Sequence, residues 1–186
     1  MRWWPRKRPG NSSERADGYC EYVQRDRVLD IVGTLARAGL AAVWLISGGL
    51  KALDPDQTYV AVRAYDVLPP GGVGVVATLL PWVELALGVL MLTGVGTRLV
   101  AGLSAGLLVV FIAGVVQAWA RGLSIDCGCF GGGGAVAPGE TAYLEELLRD
   151  TGFIALAAWL IVRPRTQFAL DSRLNDDQPA GTGRRS

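Results

Sequence analysis

The chain has no histidine in its 186 residues. That absence excludes Ser-His and Cys-His catalysis, His-ligated haem and the His-containing zinc sites within this chain. Cysteine is scarce too: Cys20 stands alone and Cys127 and Cys129 form a pair, too few for a disulfide framework. Lysine occurs only at Lys7 and Lys51, against sixteen arginines. With abundant Gly and Ala, that bias fits a GC-rich bacterial genome. No charge of one sign dominates either. Eighteen basic and seventeen acidic residues leave a net charge of +1, which gives no sign of a nucleic-acid partner.

Apolar sequence is what the chain has in plenty: 51% of residues, with a mean hydropathy of +0.31. It is gathered into four blocks. Residues 31–50 carry one charge, Arg37, and residues 73–95 are interrupted by Pro81 and Glu84. Residues 99–120 carry no charge; residues 141–162 are apolar in their second half but hold Glu145, Glu146, Arg149 and Asp150 in their first. At about 1.5 Å per residue, roughly twenty helical residues cross a hydrocarbon core of about 30 Å. The fourth block qualifies only if its charged turns lie near headgroups or face a protein interior. A soluble helical protein is the competing reading, but 99–120 lacks a polar stripe beyond Ser104 and Gln117. A secretory signal fits poorly, because no apolar stretch precedes Ile31. The expectation is an all-α, polytopic membrane protein: a four-transmembrane-helix bundle in a bacterial plasma membrane, with the lipid bilayer as its surroundings.

Thirteen basic residues fall in the two tails and the link between spans two and three, against four in the other loops and span four. By the positive-inside rule both termini are expected in the cytoplasm, and loops 51–72 and 121–140 outside. Residues 1–27 read as a disordered basic tail, 28–163 as the membrane domain and 164–186 as a polar tail.

One segment reads as chemistry: Asp126-Cys127-Gly128-Cys129-Phe130-Gly131, on the expected outer side where disulfides persist. Bridging two cysteines across one residue needs a bend, which Gly128 permits through positive φ. So small a ring is strained and easily reduced, which suits exchange better than stapling. The glycine run 131–134 then reads as a flexible joint for the pair. A permanent structural disulfide, two inert thiols and a metal site compete. The last has only two thiolates and Asp126 as donors, so no metal is expected. Either sulfur could be the attacking one.

Ionisable residues within the spans are functional candidates by default. Glu84 lies eleven residues from each end of its block, with Pro81 three residues earlier expected to kink the helix. Arg37 could reach Glu84 or snorkel back to the headgroups. Arg149 has Glu145 and Glu146 at i−4 and i−3 as local partners, and Asp150 follows it. Glu84 reads equally as a packing residue and as a proton carrier or a group orienting a quinone. Gly102 and Gly106 form a small-xxx-small pattern, Gly48 and Gly49 would allow close helix approach, and Trp82, Trp119 and Trp159 read as interface or packing residues.

Taken together, these residues resemble a known family. Ser47-Gly48-Gly49-Leu50-Lys51, Asp54-Pro55, Arg63-Ala64-Tyr65 and Leu68-Pro69-Pro70 are followed by Pro81-Trp82-Val83-Glu84-Leu85 with Gly88. The cysteine segment and Arg149-Asp150 complete an order that resembles the MauE and DoxX-like membrane proteins over about residues 28–162. The resemblance implies a four-helix bundle and a role in methylamine utilisation, supporting disulfide formation or maturation of an exported protein. It makes Cys127 and Cys129 the redox pair, and Glu84 and Arg149 the intramembrane polar positions. The architecture is also similar to quinone-linked proteins such as vitamin K epoxide reductase, which makes a quinone the candidate cofactor. This chain has no second cysteine pair, so a one-pair carrier is the simpler expectation. The leading expectation is therefore disulfide exchange with an extracytoplasmic thioredoxin-like partner or exported client. A non-enzymatic scaffold with a structural Cys127–Cys129 disulfide is the alternative. A small proton-linked transporter ranks last, for want of paired repeats.

Overall fold

The computed structural model describes residues 12–164, with side chains from residue 23 onward. Residues 1–11 and 165–186, and the Cys20 side chain, lie outside that description. Among the described residues five helices follow one another: α1 Ser12–Leu53, α2 Pro55–Ala64, α3 Pro70–Thr93, α4 Thr97–Ala120 and α5 Tyr143–Val162. A two-stranded hairpin, β1 Ile125–Asp126 and β2 Gly134–Ala135, stands between α4 and α5. Backbone helix reaches back to Ser12, into the stretch expected to be disordered.

Local sequence sets the breaks. Asp54 ends α1 and caps α2, its carboxylate accepting the Gln57 N–H at 3.0 Å, with Pro55 in the first turn of α2. α3 runs unbroken through Pro81 and stops at Gly94, whose φ of +70° leaves the helical region.

Among the described residues, three helices are long and apolar enough to cross a membrane: Val23–Leu53, Pro70–Thr93 and Thr97–Ala120. α5 is twenty residues long but has four charges in its first eight, so it falls outside that group. Its charges divide by face. Glu146 and Asp150 are buried, and Glu145 is exposed.

α1 packs mainly on α3 and also on α5, while α4 packs on α5. Leu40, Trp44, Met91, Leu108 and Leu160 fill the seam between them. The outer surface is apolar as well: Leu79, Leu99, Leu103 and Val110 are exposed, as helix faces in lipid require. Gly48 and Gly88 set the α1–α3 distance. A Cβ on Gly48 would stand 2.8 Å from the Pro81 carbonyl oxygen, and one on Gly88 2.7 Å from Leu45 Cγ. Gly49, Gly102 and Gly106 face open space, so the small-xxx-small pattern of α4 forms no contact within the chain.

Candidate functional site

The hairpin folds its tip under itself. Asp126 Oδ1 accepts the Gly128 N–H at 3.0 Å, and Gly128 takes a φ of +67°. Gly131 through Gly134 all have positive φ, and a Cβ on Gly133 would come within 2.7 Å of both Gly128 Cα and Ala61 Cβ. The glycine run is therefore a packed turn held against α2, not the free joint its composition suggested. Gln57 locks it further, its Nε2 donating to the Gly133 carbonyl at 2.7 Å. Tyr143 ties the hairpin base to α5, its hydroxyl donating to the Leu123 carbonyl at 2.6 Å and accepting from the Ile125 N–H at 3.2 Å.

Cys127 and Cys129 are free thiols, each only 9% exposed. The Cys129 N–H donates to Cys127 Sγ at 3.3 Å. Arg149 Nη2 reaches the same sulfur at 3.7 Å, while its guanidinium lies 4.9 Å from the centre of the Phe130 ring. The ion pair of Arg149 is with Asp150 at 3.1 Å, so the i−4 and i−3 acids expected from the helix spacing are displaced by site contacts. Glu146 accepts the Cys127 N–H at 3.3 Å.

These contacts split the two thiols. Hydrogen bonds from Cys129, side chain and backbone, and from Arg149 hold Cys127 below the usual thiol range, against burial and the Glu146 charge. Cys129 is pushed well above it by its bond to Cys127, by burial and by the charges of Cys127 and Asp150. Cys127 is the readier thiolate. Tyr65, after α2, donates to the Cys127 carbonyl at 3.3 Å; burial, with the nearby acidic groups, pushes its phenol up, so it stays a donor.

Below the turn lies a buried ion pair. Lys51 Nζ is 3.0 Å and 3.1 Å from the Glu84 oxygens, 2.6 Å from Ser47 Oγ and 3.1 Å from the Cys129 carbonyl oxygen. The Ser47 hydroxyl also lies 3.0 Å from Glu84 and 2.6 Å from the Cys129 carbonyl; with one proton it can donate to only one of them at a time. Ser47 and Lys51 share a face of α1 because they are four residues apart. Glu84 thus pairs with Lys51, not with Arg37. Arg37 is buried ten residues before Ser47, about 15 Å down the helix. A cleft of about 270 Å³ between the α1–α2 corner and the glycine turn reaches Lys51 and is also lined by Leu50, Thr58, Gly128 and Gly131.

Among the described residues, Asp126, Cys127 and Glu146 bring donor atoms within 4.8 Å of one another, the set that could hold a cation. The Arg149 guanidinium on the same sulfur opposes a dication there.

Of the residues expected from sequence, the fold brings Cys127, Cys129, Arg149, Asp150 and Glu84 to one end of the helices and leaves Arg37 apart. Four participants were missed as site residues: Lys51, Ser47, Glu146 and Tyr65. The Ser47–Lys51 spacing at a helix end opposite a buried acid was the available signal; nothing local marks Tyr65.

Helices of membrane length, apolar outside and holding charges and a dithiol inside, define a multi-pass membrane protein. The family model described as methylamine utilisation protein MauE matches residues 29–163, and the chain belongs to that family. No curated protein and no solved structure is matched.

Proposed function

We propose that this MauE-family protein exchanges disulfides with a thioredoxin-like partner or an exported client on the extracytoplasmic side of a bacterial plasma membrane. In this reading α5 is the fourth span, the termini are cytoplasmic, and the exchange serves maturation in methylamine utilisation. Cys127 attacks and Cys129 resolves. The observation that carries the reading is the double donation to Cys127 Sγ from Arg149 and the Cys129 amide, which favours a thiolate on one sulfur of the pair. Lys51 and Ser47, with Lys51 paired to Glu84, bond to the Cys129 carbonyl and so hold the resolving residue in place. With α5 spanning, its buried acids Glu146 and Asp150 face the protein interior, where such groups are tolerated.

Trapping tests the reading. A Cys129→Ser chain is expected to accumulate mixed disulfides through Cys127 in cells, seen as adducts that collapse on reduction. A chain that forms none, and whose cysteine pair never changes oxidation state in vivo, defeats it.

A second reading draws on the burial of both thiols and the packed turn above them: a non-enzymatic scaffold in which the pair only fastens the hairpin. Full maturation activity in a Cys127→Ser/Cys129→Ser chain favours that reading over exchange.

A further inference from the structure

Cys127 lies nine-tenths buried, so its thiol proton leaves by way of the groups packed around it. Arg149 and the Cys129 amide donate to its sulfur and favour the thiolate, but neither has a lone pair to carry the proton away. An acceptor beside the sulfur is needed.

Two carboxylates stand there. The Cys127 sulfur and one oxygen each of Asp126 and Glu146 lie within 4.8 Å of one another. Glu146, on α5, is 5% exposed, and its Oε1 accepts the Cys127 N–H at 3.3 Å, which fixes the carboxylate against the cysteine. Its Oε2 is buried with no hydrogen-bond partner, a cost in stability that a proton there relieves. A gap of this size is crossed by one bridging water or by a turn of the carboxylate. Asp126 differs, for it is exposed, so the second carboxylate of the set opens to bulk water. The other ionisable groups nearby are committed elsewhere. Tyr65, after α2, donates to the Cys127 carbonyl, and Glu84 of α3 is closed by Lys51 and Ser47 of α1. Asp150 Oδ2 is unpartnered too, but among the described residues Asp150 bonds to Arg149 and to neither cysteine.

We infer that Glu146 carries the Cys127 thiol proton out to water by way of Asp126, an inference that rests on the exchange reading above. Arg149 and the Cys129 amide set how much thiolate forms; Glu146 sets how fast it forms. The Cys127 S–H bond breaks and its proton passes to Glu146, then through Asp126 to water. The Cys127 sulfur bonds to one sulfur of the partner's disulfide as that disulfide breaks. The electron pair leaves with the partner's other sulfur, which takes a proton from water. The Cys127 sulfur is oxidised into the mixed disulfide, the departing sulfur is reduced to a thiol, and the Glu146 carboxylate is restored.

The test uses the full chain in detergent, with Cys20→Ser to silence the remaining thiol and an aromatic disulfide as oxidant. The first equivalent of aromatic thiol is released when Cys127 attacks, and its rate is followed at mildly acidic pH. The sign of the effect decides. A carboxylate that bears on the sulfur only through its charge opposes the thiolate, so its loss leaves the first release as fast as in the parent or faster. A proton carrier does the opposite: Glu146→Gln is expected to slow the first release about a hundredfold. Glu146→Asp should recover much of the rate, and the deficit of Glu146→Gln should shrink as hydroxide takes over at alkaline pH. A first release in Glu146→Gln at or above the parent rate overturns the inference. So does a slowing that is the same at every pH, or one that Glu146→Asp leaves unrelieved, since either marks a structural loss. Failure of the exchange reading looks different: the parent pair itself then releases no aromatic thiol, and the inference falls with it.

Discussion

The two ends of the helix assembly are held together differently. Around Leu40, Trp44, Met91, Leu108 and Leu160 the contacts are apolar and non-directional. At the hairpin end, Lys51, Ser47, Arg149 and Glu146 bond to the two cysteines, and Glu84 and Asp150 pair with the cations, most with little or no access to water. The apolar half should accept changes of shape at constant volume, because many weak contacts can readjust. The polar half should not accept changes of charge at constant shape, because each buried ion depends on its partner.

The largest contrast is expected from Glu84→Gln, which keeps the shape and leaves Lys51 buried without its counter-charge. Loss of one partner of a buried pair costs about 3–5 kcal/mol, whereas the volume-conserving Leu160→Met in the apolar half should cost less than about 1.5 kcal/mol. Thermal unfolding of the full chain in detergent compares them. Adding Lys51→Met to Glu84→Gln should recover much of the loss; a double variant as weak as the single one would show that the ion pair is not the source.

Gly128→Ala comes next. The residue holds a φ of +67° and its new Cβ would stand 2.9 Å from Ala61 Cβ, so a loss of about 1–3 kcal/mol is expected. Gly102→Ala adds a methyl to open space on α4 and should cost nothing measurable. If the two unfold alike, the hairpin tip is not a packed turn.

Arg149→Met comes last because its distinctive effect is on chemistry; its stability cost is the lost counter-charge of the buried Asp150. Cys127 sits below the ordinary thiol range, so its thiolate persists at lower pH than that of a free cysteine, while Cys129 stays protonated through neutrality. Iodoacetamide should therefore modify Cys127 first, and removing Arg149 should move the pH midpoint of that reaction upward. Mass spectrometry across a pH series reads both. Equal labelling of the two thiols would erase the distinction between them.

Much of this was legible in the chain. Apolar length marked 73–95 and 99–120 because helix length against bilayer thickness needs no partner information. The bend at Gly128 was legible because a glycine takes positive φ without a Cβ penalty. The glycine run was misread as a joint, since the same residues serve freedom or tight packing, and Ala61 lies far off in sequence. Arg37 was offered to Glu84 on depth alone, but side-chain reach depends on how α1 and α3 are offset. Arg149 was given its helical neighbours, which lost to a sulfur and a ring on another element.

Composition and order alone determined the helical membrane class and the family, because these follow from local length, hydropathy and motif. Which charge meets which was settled only when α1, α3, α5 and the hairpin came together. A buried ion pair is a relation between distant residues, and only the packed chain brings Lys51, Glu84 and the Cys129 carbonyl within bonding distance.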